Sequence, residues 1–169
     1  MNKKAIKEII IYVSIILAII LIRSFVVTPV RVTGASMNNT LYDGQIMILN
    51  KISYHFNDIK RFDIVVVKTN DKKIIKRVIG LPGETLKYVN NTLFIDGVEV
   101  KEPFLEEKTA DFDIKELNYS KLPRDCYFVM GDNRDNSSDS RIIGCVNKKQ
   151  ISGKTSLVVF PFEDFGVKK

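Results

Sequence analysis

Hydrophobic and polar positions divide the chain into two unequal parts. From Ile9 to Ile22 the sequence is apolar except for Tyr12 and Ser14, and beyond Arg23 it resumes as Phe25-Val26-Val27. No polar stripe interrupts the run, so it does not read as an amphipathic helix packed on a soluble core. At about 1.5 Å per residue, Ile9 to Val27 matches a hydrocarbon core of about 30 Å, with Arg23 placed to snorkel near one end. Lys3, Lys4 and Lys7 precede it against Glu8 alone. This predicts a single transmembrane helix over residues 9–27, residues 1–8 in the cytoplasm, and residues 28–169 outside. A cleavable signal peptide shares the basic start and the run, but the nearest small-x-small site, Thr33-Gly34-Ala35, lies well beyond the usual spacer.

After Pro29 the period changes. Val30 to Thr33 alternates, Gln45 to Asn50 follows the turn at Gly44, and Ile64 to Val67 is a continuous β-branched run expected to be buried on both faces. Ile74 to Ile79 is another strand, interrupted by Lys76 and Arg77. Thr92 to Ile95 and Val98 to Val100 flank Asp96-Gly97, the dipeptide suited to a type I′ hairpin. Pro103 to Leu122 is charged and aperiodic. Tyr127 to Met130 is a strand, Gly131 to Arg141 is the most polar stretch, and Thr155 to Phe160 reads as the last strand. Short strands with turns between them predict a mainly β fold, a small barrel or sandwich, with Pro103 to Leu122 as a loop-rich insertion.

Composition narrows the classes. A chain 45% hydrophobic and 27% charged is not disordered. Its net charge of +6 is spread along the sequence, which suits anionic lipid, and no nucleic-acid-binding signature accompanies it. Cys126, Cys145 and the single His55 make no metal-site spacing, and no cofactor is implied. The two cysteines either form an extracytoplasmic disulfide or sit as two small buried hydrophobes. Short N-x-S/T matches occur at Asn38, Asn90, Asn118 and Asn136, and the acid spacing of Gly131 to Arg141 does not fit a calcium loop.

The candidate chemistry lies with Ser36, in Thr33-Gly34-Ala35-Ser36-Met37, and it requires a base. His55 stands in what reads as an ordinary surface turn. Lys76, if buried among β-branched neighbours, would have a lowered pKa and a neutral amine able to take the hydroxyl proton. Pattern alone leaves open the commoner case, a lysine facing solvent from an edge strand. Asp139 and Arg141 are placed to pair and hold the polar loop, and Ser137 to orient a nearby lysine amine.

Taken in order, these residues resemble the type I signal peptidases, membrane-bound Ser/Lys proteases. Ser36-Met37-Asn38-Asn39-Thr40-Leu41 resembles the nucleophile motif, and Arg61-Phe62-Asp63-Ile64-Val65-Val66 the second block. Lys76 to Glu84 resembles the lysine block, and Gly131 to Arg141 the last one. The resemblance implies an enzyme that removes signal peptides from secreted preproteins, cutting after a small residue through an acyl-enzyme. It implies Ser36 as nucleophile, Lys76 as general base, and Ser137, Asp139 and Arg141 as support. The backbone N–H of Ser36 would be one oxyanion donor, with the second left open because Gly34 has no hydroxyl. The preprotein would lie between the strand leading to Ser36 and Ile74-Ile75-Lys76. Asn39 stands where the family usually has proline, and is expected to loosen the turn. Phe62 stands for the usual glycine, and is expected to add apolar surface or alter a close backbone approach; the resemblance also implies a short inserted β-hairpin region over residues 85–122. The rival readings are a catalytically silent, membrane-tethered binding protein of the same fold, and a self-cleaving Ser/Lys regulator.

Overall fold

The computed structural model describes residues 3–168, without the side chains of residues 5, 22–25 and 55. Helix α1 spans Lys3–Phe25 and gives way to strand β1, Val27–Arg31. Val27 thus starts the β body instead of closing the helix. The apolar side chains described from Ile9 to Leu21 are exposed, with nothing among the described residues covering them. Described side chains on α1 stop at Leu21, and among the described residues no helix is long and apolar enough to cross a membrane.

The body is mainly β. After β1 come β2 (Ile46–Asn50), β3 (Ile64–Lys68) and β4 (Lys73–Gly80), with a short helix α2 (Ser53–Phe56) between β2 and β3. Then follow β5 (Leu86–Val89), β6 (Thr92–Ile95), β7 (Val98–Val100) and β8 (Phe112–Asp113). Strand β9 (Cys126–Met130), helix α3 (Ser140–Ile143), β10 (Val146–Asn147), β11 (Ile151–Phe160) and β12 (Gly166–Val167) complete it. All pairings are antiparallel. The main sheet runs β1-β2-β11-β3-β4-β9-β10, with β12 on β11, and the second runs β7-β6-β5-β8.

Sequence patterning accounts for most of these elements. Pro29, which has no N–H to offer a ladder, sits within β1 at the sheet edge, so the first strand begins earlier than Val30. The β-branched run Ile64 to Val67 is buried throughout in the sheet interior. Asp96 and Gly97 both have positive φ, as the expected hairpin turn requires. Strand β11 starts earlier than Thr155, bulges at three places, and is followed by β12. These bulges bend and twist it, which curls the main sheet.

Three clusters make the core. One, around Leu86, Tyr88, Leu93, Ile114, Phe128 and Met130, fastens the second sheet to β9. Another holds Val65, Val67, Val78, Tyr127 and Val129. The third buries Val32, Met37, Leu41, Met47, Ile64 and Val158 beneath the segment that carries Ser36. Cys126 and Cys145 form a disulfide, Cα–Cα 5.7 Å, tying the start of β9 to the chain after α3.

Candidate active site

Ser36 sits at the start of a compact turn that the core holds from below. Met37 and Leu41 are buried, and Leu41 N donates to Met37 O at 2.7 Å, Thr40 N to Met37 O at 3.1 Å. Asn133 N donates to Ser36 O at 3.1 Å, joining this turn to the polar loop after β9. The N–H of Ser36 itself has no hydrogen-bond acceptor among the described residues. Gly34, at φ 82°, donates its N–H to Asp43 Oδ1 at 2.7 Å, so that donor is already engaged.

Lys76 reaches Ser36 from β4. The strand is interior, flanked by β3 and β9, and Lys76 is 2% exposed, so the edge-strand alternative does not hold. Nζ donates to Ser36 Oγ at 2.6 Å. Burial lowers the amine pKa to about 8, with the carboxylates of Asp139 and Asp132 opposing and Lys72 and Arg141 adding to the fall. A group ordinarily cationic at neutral pH is therefore brought near its neutral form.

Behind the lysine stands the polar loop. Asp139 caps α3 by accepting from Arg141 N, and its carboxylate takes Arg141 Nε and Nη2, both at 2.9 Å, in a two-pronged pair. Burial alone would raise the Asp139 pKa. The Arg141 guanidinium, the Ser137 hydroxyl and the Gly131 N–H outweigh it and hold the carboxyl below its ordinary value. Ser137 Oγ is buried and, among the described residues, has no hydrogen bond of ordinary geometry, although its dipole favours the Asp139 carboxylate. It lies beside the Ser36 main chain: a Cβ on Gly131 would run into both Ser36 O and Ser137 Oγ. Glycine is required there by close approach. The structure thus gathers Ser36, Lys76, Ser137, Asp139 and Arg141 into one place. No hydrogen bond joins Ser137 to Lys76. The His55 side chain lies outside the described residues.

Sequence reasoning passed over the Arg77–Asp132 pair. Arg77 Nη2 and Asp132 Oδ2 lie 2.6 Å apart and both side chains are buried. The guanidinium also stacks 3.8 Å from the Phe104 ring centroid and donates to Phe62 O. The signal was available: a second charge inside a β-branched run demands a buried partner. The two departures in the motifs also acquire a geometry. Phe62 has φ 70°, a conformation natural to glycine, and its ring meets that of Phe104 at 5.1 Å. Asn39 has φ 77°, which the proline ring forbids, and its Nδ2 donates to Glu107 Oε1 at 3.3 Å. The turn is tied at Asn39 instead of being left without a contact there.

A groove of about 780 Å³ opens over the pair. Residues 31–37 line one wall, residues 69–76 the opposite one, and Asn136, Ser138, Ile143 and Cys145 contribute to the rest. From Lys73 to Lys76, β4 pairs with β3 on one side only, because β9 joins it no earlier than Arg77. That unpaired edge has backbone donors and acceptors to offer an extended chain. Among the described residues no cluster suited to a metal ion occurs.

Fold and groove together define a mainly β protein whose cleft holds a serine hydroxyl against a buried amine. Comparison with known proteins narrows this. The family described as "Signal peptidase, peptidase S26" matches residues 5–160. The chain is 44% identical to signal peptidase I V of Bacillus subtilis (strain 168) over 155 residues, 85% of this chain and 92% of that protein. It is 41% identical to signal peptidase I P of Bacillus subtilis subsp. natto over 157 residues, 88% of this chain and 85% of that protein. A crystal structure of a signal peptidase I from Enterococcus faecalis V583 superposes with a TM-score of 0.55 at 36% identity, covering 58% of this chain and 97% of that one. The chain belongs to the S26 signal peptidase family, and so to the serine endopeptidases.

Proposed function

We propose that this protein removes signal peptides from secretory preproteins, with Ser36 as nucleophile and Lys76 as general base. The observation that carries the reading is the 2.6 Å contact between Ser36 Oγ and the buried Nζ of Lys76. With the amine neutral, the contact reverses: the hydroxyl donates to the nitrogen lone pair. The Ser36 proton passes to Nζ as Oγ attacks the scissile carbonyl carbon, and the free Ser36 N–H faces the developing oxyanion. Breakdown sends the Lys76 proton to the leaving amine and leaves an ester on Ser36. Lys76 then takes a proton from water, whose oxygen attacks the ester carbon; Oγ leaves with that proton returned from Lys76, and the signal peptide departs as a carboxylate. Ser137, with its buried unpartnered hydroxyl, accepts from the Lys76 amine and aims its lone pair, while Asp139 and Arg141 brace the loop.

The substrate is an extended segment added to the open edge of Lys73 to Lys76, between it and residues 31–35. Helix α1 acts as a single-pass anchor with residues 1–8 inside and the β body outside, the exposed apolar side chains of Ile9 to Leu21 being met by lipid. An extracytoplasmic body accords with the disulfide. A silent binding module of the same fold would have no use for a serine hydroxyl held against a buried amine.

The test is cleavage of a secretory preprotein by the full-length protein in detergent micelles, alongside Ser36→Ala and Lys76→Ala. One cut after a small residue is expected, lost by about 10³-fold or more in either variant. The rate kcat/KM should climb as pH rises through about 8, where Lys76 loses its proton. Wild-type turnover in Lys76→Ala, or a profile flat through that range, would sink the assignment.

A further inference from the structure

One carboxylate beside the site takes no part in this chemistry. Glu107 lies in the inserted segment, between β7 and β8, and its two oxygens point to different parts of the molecule. Oε1 accepts from Asn39 Nδ2 at 3.3 Å, and Oε2 accepts from the main-chain N–H of Arg134 at 3.1 Å. Asn39 belongs to the turn that begins at Ser36, and Arg134 to the loop that carries Ser137 and Asp139. These are the two segments that bracket Ser36, already touching through Asn133 N and Ser36 O at 3.1 Å. Glu107 thus supplies a second tie between them, on the far side of the turn.

The two ends of this tie differ. Asn39 is exposed and keeps a left-handed φ of 77°, a conformation a non-glycine residue leaves readily unless its side chain is engaged. Arg134, by contrast, is immobile. Its guanidinium is buried and donates to Gly131 O at 3.0 Å, Tyr88 Oη at 2.9 Å, Thr109 Oγ1 at 2.6 Å and Glu102 Oε1 at 2.6 Å. Three of these four acceptors come from the inserted segment. Thr109, two residues beyond Glu107, is itself held by Asn91 Oδ1, which accepts from its N–H at 2.6 Å. Glu107 therefore reaches out from a well-bonded support to the exposed end of the Ser36 turn.

We infer that Glu107 is a positioning residue for Ser36, and that the inserted segment, through it, sets the turn at the place where Oγ meets Lys76 Nζ. The inference rests on the reading of Ser36 as nucleophile. Displacement of a reacting atom by a fraction of an ångström is enough to slow a pre-organised step markedly. The loss falls on turnover, since Glu107 does not line the groove.

The test uses the full-length protein in micelles with a secretory preprotein. Glu107→Ala should lower kcat, counted per folded molecule by near-UV circular dichroism so that unfolded protein does not mimic the loss, by about tenfold with KM within about twofold. Asn39→Asp should fall similarly, because two carboxylates then face each other, whereas Glu107→Gln should stay within about threefold of wild type, since the Asn39 amide can turn its oxygen to the glutamine N–H while the glutamine carbonyl accepts from Arg134 N. The double variant N39D/E107Q should return to within about threefold of wild type: its glutamine amide donates to the new carboxylate while its carbonyl accepts from Arg134 N. Hydrogen exchange reads the tie without catalysis. In Glu107→Ala the amides of Thr40 and Leu41 should exchange faster while those of Val65 to Val67 stay protected; if Glu107→Ala unfolds, Asn39→Asp is read the same way. Unchanged kcat and unchanged exchange in Glu107→Ala and Asn39→Asp, or a double variant no faster than Asn39→Asp, overturns the inference. A wild-type protein that cuts no preprotein overturns the Ser36 reading instead, and the exchange data still decide the tie.

Discussion

Lys76 occupies a place where its charged form is costly and its neutral form useful. Burial lowers its pKa from 10.5 to about 8, and the carboxylates of Asp139 and Asp132 restrain the fall. The consequence for stability has a definite sign. Between about 8 and 10.5 the unfolded chain carries a proton at this position that the folded chain has lost, so unfolding becomes harder as pH rises through that window. Below about 8 both states are protonated and the contribution is gone. Its full size is about 3 kcal/mol. Urea unfolding at about pH 7 and about pH 10 should therefore show a gain in wild type that Lys76→Met lacks, and equal gains in both would refute it. At this scale the chemical types were legible: serine, lysine and the acid–arginine pair stand out in a sequence of otherwise ordinary turns. Backbone state was not. The positive φ at Phe62 and Asn39 follows from where the flanking strands lie, which no local pattern states.

Strand β4 shows how one element serves both core and site. From Lys76 to Gly80 it is buried, while its open edge from Lys73 to Lys76 remains free for a substrate. The inserted sheet does comparable work from a distance. It docks through Leu86, Tyr88, Leu93 and Ile114, and through the Arg134–Glu102 pair, whose side chains are both buried. Removing one partner of such a pair leaves the other charge uncompensated. Glu102→Ala should cost about 3 to 5 kcal/mol in urea unfolding, and Glu102→Gln, which keeps hydrogen-bonding oxygen, distinctly less. Equal losses would mean that charge is not what holds the sheet. The Asp96-Gly97 hairpin was readable because its turn chemistry is local. Strands β5 and β8 were not, since four and two residues carry little period and gain their pairing from each other.

At the scale of the whole molecule, α1 and the β body present different surfaces. The helix exposes apolar side chains from Ile9 to Leu21, whereas the body keeps its three clusters and its disulfide to itself. Deleting residues 1–26 should therefore leave a folded body, with near-UV circular dichroism like that of the full chain. Its rate on a short soluble peptide should change little, but its rate on a preprotein held in a vesicle should fall by about 10²-fold, because the shared bilayer no longer concentrates enzyme on substrate. Equal losses on the two substrates would show that α1 supports the fold instead of the encounter.

What the sequence determined by itself is whatever depends on neighbours in the chain. The apolar run, the β-branched strands, the hairpin turn and the order of Ser36, Lys76 and Gly131 to Arg141 all follow from composition and short-range period. What only the tertiary structure decided is whatever depends on residues far apart. Burial of Lys76 needs β3 beside it and the Ser36 turn folded against its amine; the Cys126–Cys145 bond needs β9 and the chain after α3 to converge. The tie from Glu107 to Asn39 needs an insertion folded back over the turn. A side chain's charge state and partners are set by the dielectric and the groups around it, and these are assembled only when the sheets close on their cores.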